Sequence, residues 1–401
     1  VTAGVAAHLG VVRGRGFAYG ARMKPLPLLL ILAVTVGPLA AHEPVTRART
    51  PVRLPDIPGY RTLKCDFHIH TVFSDGLVWP TVRAEEAWRE GLDAIAITDH
   101  IEYQPHKADV STNHNRATDL ARGRGNELEV IVIRGSEITR SMPPGHLNAI
   151  FLTNSTPLAT SNWLDALRAA RAQGAFIFWN HPGWEPQLKD GKVQWFPEHT
   201  QLVAEDLLHG IEIVNERAYY PEAHGWARER NLAPFGNSDI HEPIHMDYHL
   251  HAGDHRPLTL VFARERSAEA IQEALFDRRT AVYSGGKLFG EEKFVRPLVE
   301  GAVRVLNPAV TVRGKGRAYV QIHNDSEVTY RLERSGDVAD VVFPRSLVLV
   351  GGRTVLLELK AQGAPEAGTR AVALPYQVTN ALTAPGTPLR LELKAEVTFA
   401  P

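Results

Sequence analysis

The sequence predicts an α/β barrel followed by an all-β sandwich, and three observations carry that expectation. Apolar, β-branched strands alternate with amphipathic helices from Leu63 to Tyr283, an order that lays parallel strands beneath covering helices. Histidines, aspartates and glutamates follow at least five of those strands, always at the C-terminal end. Convergence of that many strand ends suits the mouth of a barrel better than the single switch point of an open sheet. Beyond Val295 the texture changes to short alternating runs separated by Gly, Pro, Asn and Asp, which is strand patterning without helical period.

In a chain of 401 residues two domains are expected. Met23-Lys24 begins a short positive region, Leu26–Val36 is nearly all apolar, and Pro38-Leu39-Ala40-Ala41 supplies small residues before His42. That is the layout of a secretory signal peptide, too short to span a bilayer comfortably. The expected segments are therefore 1–41, an upstream extension plus signal peptide; 42–60, a linker; 61–290, the catalytic barrel; and 295–401, the sandwich. The chain is expected to be exported, periplasmic or secreted, with no membrane span in its mature form.

The elements follow in order. Leu63–Ile69 reads as a strand, and Pro80–Glu90 as a helix, because Pro is favoured at the first helical position. Asp93–Thr98, Val130–Arg134 and Leu147–Leu152 are apolar runs of strand length. Asn162–Gln173 is helical, with Leu164, Leu167 and Ala170 on one face and Gly174 as its stop. Ala175–Trp179 and Ile211–Val214 are strands, with a helix at Glu198–Leu208 between them; a helix at Glu222–Arg230 and the run Ala233–Gly236 come next. Leu258–Ala263, Ala268–Arg278 and Thr280–Tyr283 form a last strand–helix–strand unit. In the tail, Ala309–Val312, Ala318–Ile322, Val328–Leu332, Leu347–Val350, Thr354–Leu359, Ala371–Val378 and Leu389–Phe399 read as strands. About seven strands in roughly a hundred residues suggest an immunoglobulin-like sandwich. No titratable cluster occurs in that part, so its expected role is structural or in contacting a protein partner.

Charge excludes some functions. Lys and Arg number 44 against 45 Asp and Glu, with no basic block, so no stable nucleic-acid complex is expected. Cys65 is the one cysteine, which rules out an internal disulfide and a thiolate zinc site. Any metal must be held by His, Asp and Glu, the donor set of hydrolytic centres.

Those donors are present. His68 and His70 stand two apart on an extended run, so their side chains share a face; Asp239 and His241 repeat the spacing. With Asp75, His100, Glu137, His146 and His181 they make nine candidate ligands, more than one ion takes with positions left open for water and substrate. Two or three divalent ions, Mn, Zn or Fe, fit this set. Asp66 and Asp99 flank ligands and are expected to orient imidazoles by hydrogen bonds. Arg140 and Arg217, just past candidate strand ends, are candidate phosphate contacts. Trp179, Trp184 and Trp195 are candidate pocket or core residues, and His245, His249, His251 and His255 form a histidine-rich loop.

The motifs D-x-H-x-H-T-x-x-S-D-G at Asp66–Gly76, T-D-H at Thr98–His100, G-x-E at Gly135–Glu137, N-H-P at Asn180–Pro182 and S-D-x-H at Ser238–His241 resemble those of the PHP (polymerase and histidinol phosphatase) family. The resemblance spans roughly Leu63 to Gly285. It implies a distorted seven-stranded (β/α)7, TIM-like barrel holding a trinuclear metal centre, usually a phosphoesterase. By position, His68, His70, Glu137 and Asp239 should surround the first metal. Glu137 should bridge to a second metal completed by His146 and His181, and Asp75, His100 and His241 should hold the third. Asp75 stands where some relatives have histidine.

The function expected is hydrolysis of a small phosphorylated substrate, mono- or diester, by a metal-activated water held by Glu137, Asp239 and His241. Two alternatives are a metal-dependent amidohydrolase-like enzyme acting on carbon esters or amides, and a non-catalytic metal-binding scaffold. The former class usually carries a lysine ligand, and no Lys stands at a matching strand end.

Overall fold

The computed structural model describes residues 47–401. The extension and signal peptide expected at 1–41, and the first residues of the 42–60 segment, lie outside the described residues. Residues 47–60 lie against the body of the protein: Val52 and Ile57 are buried, and Thr50 N donates to Arg89 O.

β1 (Arg61–Asp66), β2 (Ala94–Ile97) and β3 (Ile131–Ile138) run parallel. β4 (Leu147–Ile150) runs antiparallel to β3 and to β5 (Phe176–Trp179). β6 (Gly210–Asn215) is parallel to β5, carries the short return strand β7 (Ala218–Tyr219), and pairs in parallel with β8 (Ala233–Asn237). The ring closes beyond the regular strand ends. Ile69 bridges Ile240 in parallel, Asp239 N donates to His68 O at 2.9 Å, and His70 N donates to Ile240 O at 3.1 Å. Seven strands thus form the barrel, and the reversed β4 is its distortion. Because the closing pairs involve the histidine-bearing extensions themselves, the act of closing the barrel assembles the candidate ligands.

The helices form as the sequence predicts, with instructive exceptions. α1 (Pro80–Glu90) has Pro80 in its first turn and ends at Gly91, whose φ of 74° is the left-handed conformation of a helix stop. α2 (Arg116–Leu128) is not legible from apolar periodicity, since it is rich in Arg and carries two glycines. Gly125 is required there: a Cβ would lie 2.5 Å from the Val132 side chain and 2.7 Å from Val130 O. α3 (Trp163–Arg171) is capped by the Asn162 side chain, which accepts from Leu164 N. α4 (Pro197–Ala204), α5 (Pro221–Glu229), the single turn α6 (Ile244–Asp247) and α7 (Ala268–Phe276) complete the barrel's cover. α8 (Glu292–Ala302) was hidden by Pro297 in its interior, a residue that normally breaks a helix.

From β1 the sheet continues through β9 (Leu258–Ala263), β10 (Thr280–Ser284) and β11 (Lys287–Gly290). Nine further strands follow: β12 (Val303–Val305), β13 (Ala309–Arg313), β14 (Arg317–Asn324), β15 (Tyr330–Arg334), β16 (Val341–Val342), β17 (Ser346–Leu349), β18 (Thr354–Ala361), β19 (Gly368–Ala384) and β20 (Thr387–Ala400). One sandwich sheet contains β13, β20, β19, β15 and β17; the other runs β12–β14–β18–β16. Their alternating buried and exposed residues are the pattern of two facing sheets. β11 pairs with β19 and Arg53 donates to Glu327 at 2.6 Å, so sheet and lead both tie the sandwich to the barrel.

Beside the site, the Phe178 and Phe235 rings stack at 4.5 Å, with Phe67 and Phe176 5.7 and 5.5 Å from Phe235. Each such burial contributes about 1.5–3 kcal/mol. Phe67 directly precedes His68, so this aromatic packing fixes the strand that carries the ligands.

Candidate metal centre

The candidate ligands come together at the barrel mouth in three groups: His68, His70, Glu137 and Asp239; Glu137, His146 and His181; and His70, Asp75, His100 and His241. Glu137 joins the first two groups and His70 joins the first and third, so the three are contiguous. The sharing of His70 is not visible in the sequence. Two of the candidate ligands sit in backbone conformations that cost non-glycine residues energy, with φ of 29° at His181 and 52° at Asp239. Both follow strand ends, where the chain turns sharply to aim a side chain inwards.

Tautomers can be assigned from the surrounding partners. His68 Nδ1 lies 2.9 Å from Glu212 Oε1, so Nδ1 donates there and Nε2 is the nitrogen turned towards the cluster. Ser74 Oγ donates to Asp99 at 2.8 Å and lies 3.2 Å from His70 Nδ1, so His70 likewise donates from Nδ1 and turns Nε2 to the cluster. The two Nε2 atoms are 3.1 Å apart. Each is also 3.1 Å from Glu137 Oε2 and 3.0 Å from Asp239 Oδ1. Without a cation, the charges of Asp239, Glu212 and Glu137 overcome burial and raise His68 well above its ordinary value; a cation among these four atoms would take the place of that proton.

Unpaired atoms lead to the same conclusion. Glu137 Oε1, His146 Nδ1, Asp239 Oδ1 and Asp75 Oδ1 are buried without a hydrogen-bond partner, although Glu137 Oε1 and His146 Nδ1 are only 2.7 Å apart. Buried polar atoms are normally satisfied; here they are close but not aligned for hydrogen bonding, as ligands to a shared ion are. His181 Nε2 lies 3.6 Å from Glu137 Oε1. In the third group His100 Nε2 is 3.4 Å and His241 Nε2 3.3 Å from Asp75. The donors are imidazole and carboxylate alone, which suits Mn, Zn or Fe.

The groups also compensate one another's charge. Burial pushes the Glu137 carboxyl up, but the charges of His100, His68 and His146 outweigh it and hold it well below the usual carboxylate range. Asp239 is likewise held well below its ordinary value, with His68 the chief opponent of burial. Burial pulls His241 down, yet the nearby Asp75 carboxylate and the charge of Asp239 raise it to about 9.

Several supporting residues escape sequence reasoning. Glu212, fully buried on β6, accepts from His68, from His181 N at 2.6 Å, and from the Asn215 and Asn237 amides at 2.9 Å. Its signal was a lone carboxylate inside the apolar run Ile211–Val214. Arg83, also fully buried, donates from α1 to four carbonyls: those of His70, Ile240, His241 and Glu242, at 2.7–3.1 Å. Thr139 Oγ1 meets His100 Nδ1 at 2.6 Å, and His241 Nδ1 meets Asp239 O at 2.7 Å.

The expected second layer needs correction in part. Asp99 reaches His70 only through Ser74, while also accepting from Thr71 N and Oγ1. Asp66 orients no imidazole: it accepts from Ser238 N, Ser238 Oγ and Arg256, tying β1 to the turn after β8. Arg140 is held by Glu102 and by the carbonyls of Thr139 and Thr160, so its two terminal nitrogens are engaged in the loop after β3. Arg217 bonds Asp254 at 2.7 Å and lies over the Tyr248 ring. It lines a cavity of about 320 Å³ beside Asp239 and His241, together with Glu216, Glu242 and Asp247. Trp179 and Trp195 pack with Trp226 in the core, whereas Trp184 stands at the mouth. The loop histidines 245, 249, 251 and 255 join none of the three groups.

Comparison with known proteins agrees with this geometry. The chain is 44% identical to a two-domain protein from Bacteroides vulgatus containing a predicted PHP-like metal-dependent phosphoesterase; the match covers 87% of this chain and 100% of that one, with a TM-score of 0.82. A proposed metal-dependent phosphoesterase from Bifidobacterium adolescentis is 20% identical over 44% of this chain and 87% of that one, with a TM-score of 0.35, too slight a likeness to bear on function. The DUF5001 family model, an Ig-like domain, matches residues 303–394. No curated protein matches the sequence.

Proposed function

Because this chain belongs to the family of two-domain proteins that carry a PHP-like metal-dependent phosphoesterase, we propose that it hydrolyses phosphate esters with two or three divalent cations at its barrel mouth. The observation that carries the proposal is the convergence of four ligand atoms: His68 Nε2 and His70 Nε2 lie 3.1 Å apart, and each is within 3.1 Å of Glu137 Oε2 and of Asp239 Oδ1. His68, His70, Glu137 and Asp239 would hold one cation. Glu137, His146 and His181 would hold a second, and Asp75, His100 and His241, with the His70 ring alongside, a third. Such cations, Mn, Zn or Fe, supply Lewis acidity, lowering the pKa of water and neutralising phosphate oxygens.

The chain's own residues set the conditions for that chemistry. Glu137 contributes one carboxylate to two groups and so draws their sites together. Asp239 and His241 face both the ligand groups and the cavity, where an attacking water and a substrate oxygen must meet. Glu212 keeps His68 in the tautomer that offers Nε2. The substrate is a small phosphorylated compound rather than a nucleic acid, in keeping with the balanced charge and the absence of a basic block. Export to the periplasm or beyond is part of the proposal and rests on the signal-like stretch Met23–Ala41. No helix among the described residues is long and apolar enough to cross a membrane.

The test is to load the purified protein with Mn or Zn and to screen phosphomonoesters against phosphodiesters. Metal-dependent release of phosphate or cleavage of a diester is expected. Intact metal content with activity on neither class would overturn the proposal.

A further inference from the structure

Two large aromatic side chains stand in water beside the ligand groups. Trp184 is 43% and Tyr103 is 53% exposed. A lone exposed aromatic residue is ordinary, but these two are not scattered. The Trp184 ring lies 5.4 Å from His181 and 5.5 Å from His146, and the Tyr103 ring lies 6.1 Å from His100. The His181 and His100 contacts are inclined at 61° and 66° and the His146 contact at 48°, so no imidazole lies flat on either ring and the exposed part of each stays open. Trp184 is anchored by its backbone N–H to His181 O at 2.9 Å, and its own carbonyl accepts from Gln187 N. Its ring is therefore carried by the same turn that presents a ligand.

The cavity wall beside Asp239 and His241 differs in kind. The cavity beside Asp239 and His241 is bordered by Glu216, Glu242 and Asp247. Its one arginine is already bonded to Asp254, and Tyr248 is buried beneath that guanidinium. That wall is acidic and its one aromatic residue, Tyr248, is buried, so Trp184 offers a flat apolar group the better partner.

Resting on the phosphoester hydrolysis proposed above, we infer that the alcohol esterified to phosphate carries a planar aromatic group, which stacks on Trp184 with Tyr103 as a second wall. The aromatic plane belongs either to an arene or to a nucleobase; both offer a π-face of the same chemistry.

Substrate pairs matched in leaving-alcohol basicity test this. Benzyl phosphate against ethyl phosphate isolates an arene, and adenosine 5′-phosphate against ribose 5-phosphate isolates a base. In the metal-loaded wild type, kcat/KM should favour the aromatic member of at least one pair by about tenfold. That ratio should fall towards one in Trp184→Ala and recover in Trp184→Phe, and the change should lie mainly in KM. Calorimetric binding of benzylphosphonate against ethylphosphonate gives a readout that needs no turnover. Ratios near one in the wild type for both pairs, or ratios that survive in Trp184→Ala/Tyr103→Ala, would overturn the inference while leaving the phosphoesterase proposal standing. A Trp184-dependent preference for benzylphosphonate with neither ester class cleaved would do the reverse.

Discussion

Glu212 Oε1 lies 2.9 Å from His68 Nδ1, and through that single contact a carboxylate on β6 fixes which nitrogen a histidine 144 residues earlier turns towards the ligand cluster. Both side chains are fully buried, so water cannot replace the missing partner if either is changed.

Glu212→Gln should therefore keep the fold but weaken cation binding. Loss of a carboxylate behind a ligating imidazole typically costs 10–100-fold in affinity or activity. Metal titration by calorimetry, with circular dichroism as the control for folding, measures this; affinity equal to wild type would contradict the role given to Glu212. His68→Ala removes the proposed ligand itself and should lower both metal stoichiometry and turnover.

Chelation should destabilise the protein, because cations that bind only the folded state add to its stability by mass action. Binding should also strengthen with rising pH. In the cation-free protein His241 holds its proton up to about 9, and a cation must displace it. Apparent affinity should thus fall steadily as pH drops below that value, with proton release on binding. Titration in buffers of different ionisation enthalpy reports the protons released.

Arg83→Met should be severe although Arg83 touches no candidate ligand side chain. It would strand the carbonyls of His70, Ile240, His241 and Glu242 and leave Glu86 without its 2.8 Å partner. Breaking a buried pair of this kind costs about 3–5 kcal/mol. Denaturant unfolding of the metal-free protein measures it. A loss under about 1 kcal/mol would mean that those carbonyls find other partners.

His199 predicts an acid-labile core. Its ring stacks 3.7 Å from Trp179 and its Nε2 bonds Pro144 O at 2.7 Å. Burial lowers its pKa to about 4, against the bond to Pro144 that raises it; burial and then the charge of Arg228 lower His224 to about 4 as well. An unfolded histidine titrates near ~6.5. Between those values the unfolded chain takes up a proton that the folded protein refuses. Stability should hence fall as pH drops from about 6.5 to 4, by roughly 3 kcal/mol per residue, and no further loss from these groups follows below 4. In His199→Gln the slope of stability against pH over that window should shrink by about one proton.

The sequence alone determined the barrel, the sandwich and the candidate ligand set. Each follows from local pattern: strands and helices alternate along the chain, and parallel strands turn their C-terminal ends to one mouth, so titratable residues at those ends converge; His146 joins them from the start of the reversed β4. What lay beyond reach were choices settled by long-range packing. The pairing of Glu212 with His68, the four carbonyls held by Arg83, the double use of His70 and the capture of Arg140 by Glu102 join residues that no spacing relates, apart from those within one turn or loop. α2 and α8 escaped for a related reason: Gly125 and Pro297 disfavour a helix locally, and tertiary contacts with neighbouring strands override them. Only the closed barrel, in which Ile69 pairs with Ile240, decides which nitrogen and which oxygen meet at each candidate cation, because that pairing sets the distances between side chains carried on opposite ends of the catalytic domain's sequence.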